Sequence, residues 1–256
     1  MINARAVIDP KAELDEGVKV GPFSVIGPDV RIGTGSEIAS HVVIRGPTTI
    51  GRDNRIFQFA SVGEDPQDKK YGGEPTRLEI GDRNVIREYV TVHRGTVQDQ
   101  GLTRIGNDCL IMAYCHVAHD CMLGDHVIMA NGASMAGHVK IGDWAILGGF
   151  SLIHQFCRIG AHSLLAFGTG ISMDVPPFIT VGGHPAKPYT INAEGLRRRE
   201  FGDKKIQLIR KAFKLLYKQS LKLDQAIAAM QELLPECPEL QIMIDFLRES
   251  GRGITR

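Results

Sequence analysis

The chain has 256 residues, enough for one large domain or for a long repeat domain with a smaller one attached. Its 30 Lys and Arg balance 29 Asp and Glu, and the formal charge of +1 argues against a general nucleic-acid binder. The opening MINARAVIDP lacks the cationic start and apolar core of a signal peptide, and no apolar run approaches the ~20 residues of a membrane span, so a soluble, cytoplasmic protein is expected.

From Ile8 an aliphatic residue recurs every six positions: Leu14, Val20, Ile26, Ile32, Ile38, Ile44, Ile50, Ile56, Val62. The ladder resumes at Ile80, Ile86 and Val92, and again from Ile105 through Ile111, Val117, Leu123, Met129, Met135, Ile141, Leu147, Ile153, Ile159 and Leu165 to Ile171. In a chain that is 43% hydrophobic, the last run of twelve would arise by chance roughly four times in 10⁵. Gly often follows the ladder residue, at Gly21, Gly27, Gly33, Gly51, Gly63, Gly81, Gly106, Gly124, Gly142, Gly148 and Gly160, where it is expected to permit a sharp turn.

The fourth residue after each step is small or slender, for example Ser24, Val42, Ala60, Ala133 and Thr169. A period of six is neither helical nor that of a simple strand. It fits a short strand and a turn wound around a prism, with the bulky and the slender residue both pointing inward. Three hexads make one coil, and coils stack at about 4.8 Å. The expected fold is therefore mainly β, a parallel β-helix of hexapeptide repeats. Four of the five cysteines (Cys109, Cys115, Cys121 and Cys157) fall in the slender column and read as small core residues rather than reactive thiols.

Two breaks interrupt the ladder, at 63–79 and 93–104. They read as inserted loops, and long loops on a rigid scaffold usually carry function. After Ile171, a proline-rich connector (Pro176, Pro177, Pro185, Pro188) leads to a helical pattern from about residue 192. Ile206, Ile209, Phe213, Leu216 and Tyr217 recur at helical spacing, and LDQAIAAMQELL and ELQIMIDFLRES suggest two further helices. The chain is thus divided into a β-helix over 1–190 and an α-helical C-terminal domain over 191–256. The first helical stretch is rich in cations (Arg197, Arg198, Arg199, Lys204, Lys205, Arg210, Lys211, Lys214, Lys218), which reads either as a solvated face or as a dock for an acidic partner.

Residues eighteen apart become vertical neighbours on such a prism. His119, Gly137 and Gln155 then share one column, and Asp120 and His138 the next, with His116 and His154 close by. Histidine suits proton transfer near neutral pH. A glycine leaves its backbone N–H approachable by a substrate oxygen, as an oxyanion hole requires. His41, His93, His126, His162 and His184 lie outside this cluster and read as structural or surface residues.

The stretches IGRDNRIFQFASVGEDPQDKKYGGEPTRLEIGDRN, HVAHDC, AGHVKIGDWAILGG, HQFCRIGAHS and NAEGLRRR resemble, in order and over essentially the whole chain, the UDP-N-acetylglucosamine 3-O-acyltransferase family. The resemblance implies a left-handed helix and a homotrimer with active sites between prisms. It also implies transfer of a 3-hydroxyacyl chain from acyl carrier protein to the sugar of UDP-N-acetylglucosamine, in the first step of lipid A synthesis. In that reading His119 is the general base, Asp120 orients it and Gly137 N–H holds the oxyanion, with no cofactor on the enzyme.

Sugar and phosphate contacts map onto Asp68, Lys70, His116, His138, His154, Gln155 and Arg199, with Asn192, Glu194 and Arg198 near the nucleotide. The acyl-chain ruler maps onto Phe167, beside Leu164. Long-chain members carry Gly at the position of Phe167, so a chain of about ten carbons is expected, each buried CH₂ being worth ~0.8 kcal/mol. Glu200 also departs from the family, where Gly commonly follows the arginines.

Three other readings are open. One is acylation of a 3-amino UDP-sugar or a related sugar N-acyltransferase, although the N-acyltransferase of the pathway usually has an N-terminal uridine-binding domain, for which the residues before Ile8 are expected to leave no room. The others are a γ-class zinc carbonic anhydrase using His116, His119 and His138, and a non-catalytic scaffold.

Overall fold

A computed structural model describes residues 1–256. The hexads wind into a prism with three faces, each a parallel sheet. Face 1 has nine strands from Val7–Ile8 to Gly170–Ile171, and face 2 has eight from Glu13–Leu14 to Arg158–Ile159. Face 3 begins at Lys19–Val20 and ends in ten strands with the hairpin Ile179–Gly182 and Lys187–Ile191, whose pairing is antiparallel. Away from the inserted loops the register is one coil: His116 pairs with Ser134, Ser134 with Leu152 and Leu152 with Gly170.

Every ladder residue from Val20 to Ile171 is buried, and so is the slender column; Ile8 and Leu14 at the open end are half-buried. A narrow triangular core admits one bulky and one small side chain per hexad at close-packed density. The cysteines lie within it as expected. Burial pushes the thiols of Cys109 and Cys121 up to about 12 and those of Cys115 and Cys157 up to about 11, so they stay protonated and inert.

The glycine column requires a correction. In that column only Gly63 has a positive φ (77°); Gly33, Gly51, Gly81, Gly106, Gly124, Gly142 and Gly160 all lie on the edge between faces 2 and 3, and none of them does. The left-handed residue comes two positions later: after Gly33 it is Gly35 (φ 74°), but in the other six turns it is not glycine, and Asp53, Arg83, Asp108, His126, Trp144 and His162 have φ of 56–63°. Glycine is needed instead because the coils approach closely there. A Cβ on Gly33 would stand 2.7 Å from the carbonyl carbon of Gly51, and one on Gly106 would stand 2.6 Å from the carbonyl oxygen of Gly124. The same approach lets Asn107 accept from the N–H of Asp82 (2.8 Å), Asp125 from that of Asn107 (2.7 Å) and Asp143 from that of Asp125 (2.9 Å), a polar ladder down the edge.

The edge between faces 3 and 1 is aromatic. Phe23, His41, Phe59, Tyr89 and Tyr114 stack with ring centroids 4.9–5.4 Å apart. The third edge, between faces 1 and 2, carries Asp120, His138 and the two inserted loops. Strands Ser61–Glu64, Arg77–Ile80 and Leu102–Ile105 run into the breaks and pair there, so the loops between strands cover only 65–76 and 94–101 rather than 63–79 and 93–104.

The C-terminal part has four helices: α1 (Ala193–Arg198), α2 (Asp203–Tyr217), α3 (Leu223–Gln231) and α4 (Gln241–Arg248). α2 buries Ile206, Ile209, Phe213 and Leu216, the face its spacing predicts. The tail returns to the prism at Asp174, whose carboxylate accepts from the Arg158 N–H (2.9 Å) and the Ser250 hydroxyl (3.0 Å). No helix is long and apolar enough to cross a membrane.

Candidate active site

Asp120 occupies the left-handed position of its turn (φ 59°) and is almost fully buried. Asp tolerates this conformation better than most residues. The turn places the carboxylate against His119, with Asp120 Oδ2 2.8 Å from His119 Nδ1. Burial disfavours the charged carboxylate. Hydrogen bonds from His119 and from both donors of Thr96, with the nearby His138, outweigh that penalty and hold its acidity below the ordinary carboxylate range. An ionised Asp120 fixes the His119 proton on Nδ1 and leaves Nε2 as an acceptor.

Gly137 lies one coil above His119. A Cβ there would stand 2.7 Å from His119 Nε2, so only glycine lets the imidazole lie flat over this turn. The Gly137 carbonyl accepts from Phe156 N–H (3.1 Å), while its own N–H makes no hydrogen bond within the chain. A free donor next to a free imidazole nitrogen suits addition to a carbonyl.

These groups open onto a cavity of about 710 Å³ lined by His116, His119, Gly137, His154 and Gln155. A second cavity of about 680 Å³ adjoins it around the edge, and there Asp68, Lys70 and His138 join His119 and Gln155. The structure thus brings the inserted loop 65–76 beside the histidine cluster. His138 stands edge-on to His119, with ring centroids 5.1 Å apart, and its Nδ1 is 3.0 Å from Asp99. His116 pairs with the Thr91 hydroxyl (2.7 Å), and burial, reinforced by His93 and His119, pushes it down to about 4. It is therefore neutral at physiological pH. The three histidines of the zinc reading do not converge. The compact group is His119, Asp120 and His138, in which Asp120 is already bonded to Thr96 and His119.

The C-terminal residues form a separate group. Asn192 is buried and caps α1: its Oδ1 accepts from Gly195 N–H (3.1 Å) and its Nδ2 donates to the His162 carbonyl (3.0 Å). Glu194 holds Arg197 (3.3 Å) and Arg198 (3.1 Å). Arg199 turns inward, donating to His162 Nδ1 (3.1 Å) and the Trp144 carbonyl (3.0 Å) and lying over the Trp144 ring. None of these residues lines the His119 cavities of the same chain. Nor do Phe167 and Leu164: Leu164 is on face 3, and Phe167 is exposed on the aromatic edge against Phe150. Lys204 and Lys205 of the cationic set pair with Glu236 and Glu239, leaving Arg210, Lys211, Lys214 and Lys218 exposed without ion-pair partners.

Sequence reasoning missed Thr96, Asp99 and Gln67, which reach the site from the inserted loops, and His184, which lines the larger cavity from the hairpin turn. None lies a coil multiple from His119. For Thr96, Asp99 and Gln67 the only signal was membership of the inserted loops, and His184, read as structural or surface, carried none.

The UDP-N-acetylglucosamine O-acyltransferase domain 2 family matches residues 174–255, and the bacterial transferase hexapeptide family matches 11–46 and 102–137. The chain is 56% identical to the acyl-[acyl-carrier-protein]–UDP-N-acetylglucosamine O-acyltransferase of Halorhodospira halophila and 55% identical to that of Stutzerimonas stutzeri, covering 100% of this chain and 99% of each relative. It superposes on LpxA from Acinetobacter baumannii with a TM-score of 0.97 at 50% identity, covering 100% of this chain and 99% of that one. The prism is accordingly a left-handed β-helix. Full-length identity, shared domains and superposition together make this chain a member of the acyl-[acyl-carrier-protein]–UDP-N-acetylglucosamine O-acyltransferase family.

Proposed function

We infer that the protein transfers a 3-hydroxyacyl chain from acyl carrier protein to the 3-hydroxyl of UDP-N-acetylglucosamine, the first step of lipid A synthesis, in the cytoplasm. The observation that carries this reading is the His119–Asp120 pair beside Gly137, whose N–H has no hydrogen-bond partner within the chain. His119 Nε2 takes the proton of the sugar hydroxyl as its oxygen attacks the thioester carbonyl. The carbonyl oxygen becomes an oxyanion held by Gly137 N–H. Collapse expels the phosphopantetheine thiolate, which takes the proton back from His119. Asp120 stays ionised throughout and stabilises the imidazolium. These steps call on no metal or prosthetic group of the enzyme. Asp68, Lys70, His116, His138, His154 and Gln155 bind the sugar and its phosphates around the same cavities.

The working form is a homotrimer. A shallow groove on one prism leaves water at the reacting centre, and a second prism would exclude it. Phe167, exposed and outside its own chain's cavity, would close the acyl groove of a neighbouring protomer. Asn192, Glu194, Arg198 and Arg199 would likewise meet the nucleotide across that seam. The exposed cations of α2 suit the acidic carrier protein.

The test is a transfer assay with UDP-N-acetylglucosamine and a panel of acyl carrier protein thioesters. His119→Ala lowers kcat by about 10²–10⁴. The wild type prefers the 3-hydroxydecanoyl donor, and Phe167→Gly extends the accepted length. No transfer to this sugar nucleotide overturns the reading, and faster turnover of 3-hydroxymyristoyl by the wild type overturns the ruler.

A further inference from the structure

The second inserted loop, 94–101, reaches the catalytic pair through one residue. Thr96 is fully buried and directs both of its donors at Asp120: its N–H meets Oδ1 at 2.8 Å and its hydroxyl meets Oδ2 at 2.6 Å. Asp120 Oδ2 is the same oxygen that faces His119 Nδ1. The carboxylate is therefore clamped from one side by the loop and aligns the imidazole from the other. On the prism side, Asp120 N–H donates to the Thr103 hydroxyl (2.8 Å), which anchors the backbone but leaves the carboxylate free to rotate. Apart from His119 itself, Thr96 is the residue that hydrogen-bonds the carboxylate, and it holds both oxygens. The further charged or titratable groups facing this pair are His138, 3.8 Å from Asp120 Oδ2 and itself held by Asp99, and His116 beside His119.

We propose that Thr96 is a positioning residue for the reaction, clamping the Asp120 carboxylate so that His119 presents Nε2 to the sugar hydroxyl next to Gly137. This proposal rests on the acyl-transfer reading above. Its physical basis is the orienting role of a buried hydrogen bond to a charged group: a donor of this kind is worth roughly a tenfold to hundredfold factor when removed. The hydroxyl is out of reach of the substrate, because Thr96 is fully buried and lines neither cavity. Its loss therefore falls on turnover and not on affinity.

The test compares Thr96→Val, which keeps the shape and the N–H but removes the hydroxyl, with Thr96→Ser, which restores a hydroxyl, in the wild-type transfer assay. For Thr96→Val we expect kcat to fall about 10- to 100-fold with KM for UDP-N-acetylglucosamine unchanged within twofold. Thr96→Ser recovers most of the loss. Circular dichroism and thermal melts establish that each variant is folded. If Thr96→Val does not fold, Thr96→Ala supplies the same deletion in a smaller side chain. A folded Val or Ala variant with unchanged kcat overturns the proposal, as does a rise in KM at unchanged kcat or a Ser variant no better than Val. An inactive wild type alongside folded variants sinks the acyl-transfer reading itself, so the two failures are distinguishable.

Discussion

Two glycine-related positions carry opposite lessons at the residue scale. Gly137 is not required by backbone strain, since its φ is not positive; it is required by the flat imidazole of His119. The atoms that a Cβ would meet belong to the end of a flexible side chain, so the protein can absorb a methyl group by swinging His119 aside. Gly137→Ala is therefore expected to fold normally, with a melting temperature near wild type, while kcat drops at least tenfold because the base is displaced from its partner. Steady-state kinetics alongside a melt separates these effects, and unaltered kcat would show that the imidazole does not act from this position.

Glu200 is the reverse case. It follows α1 with φ 62°, the left-handed position at which helices commonly end in glycine. A glycine at this point would adopt the conformation without strain, and the chain holds Glu there at a cost. Glu200→Gly should raise stability by about 0.5–1 kcal/mol, since the left-handed conformation costs a non-glycine residue about 1–2 kcal/mol and glycine's greater unfolded-state freedom offsets part of that. A higher midpoint in urea denaturation with an unchanged slope would report it. A lower midpoint would mean that the Glu200 side chain contributes more than its backbone strain costs.

Among elements, the inserted loops are the active parts and the prism is their mount. The loop 65–76 holds Asp68 and Lys70 over the cavity, and its position depends on Arg94 at the start of the other loop. The buried Arg94 guanidinium donates to the Gly63 carbonyl (2.5 Å), the Asp65 carboxylate and the Tyr71 hydroxyl (3.1 Å), so one planar fork ties two points of the first loop to the strand that precedes it. A lysine keeps the charge but cannot span the fork. Arg94→Lys should raise KM for UDP-N-acetylglucosamine about tenfold while kcat falls by less. Equal losses in both parameters would mean that the loop orders the catalytic pair as well as the substrate.

Periodicity made the prism strands, the inward cysteines and the buried face of α2 legible, because each depends on a local repeat that recurs in register. The loop contacts were not legible. Thr96, Asp99 and Arg94 obey no period, and their partners lie 24, 39 and up to 31 residues away. The glycine column was located by the repeat, but its cause was misread. Close approach between coils is a property of stacking, which no single hexad displays.

For the molecule as a whole, burial leaves a signature in pH. His116 on face 1 and His162 on the edge between faces 2 and 3 are both pushed down to about 4, chiefly by burial, then by His93 and His119 in the first case and by Arg199 in the second. In the unfolded chain both titrate near 6.5. Between about pH 6.5 and 4 the unfolded chain binds protons that the folded chain refuses, so stability falls with acidification across that window and levels off below it. Each residue contributes at most about 1.4 kcal/mol per pH unit, and less where water reaches it. Melts at pH 6.5 and 4.5 should show the loss. His162→Gln, which keeps an acceptor for Arg199, should remove about half of it and leave the share of His116. An unaltered slope in that variant would place the acid sensitivity of this window elsewhere, His116 being the remaining buried candidate.

The sequence alone determined the coil: a hexad whose aliphatic and slender residues point inward can only stack, and stacking at a constant period turns an interval of eighteen residues into vertical adjacency. That was enough to align His119, Gly137 and Gln155 in one column. Tertiary structure alone decided what surrounds them. The inserted loops fold back across an edge by contacts of long and irregular separation, so that Thr96 meets Asp120 and Lys70 meets the cavity. It also put Phe167, Asn192 and Arg199 away from the His119 cavities of their own chain. A repeat specifies its own register because every coil repeats the same burial. An insertion has no such template, and its place is set only by the particular hydrogen bonds it finds.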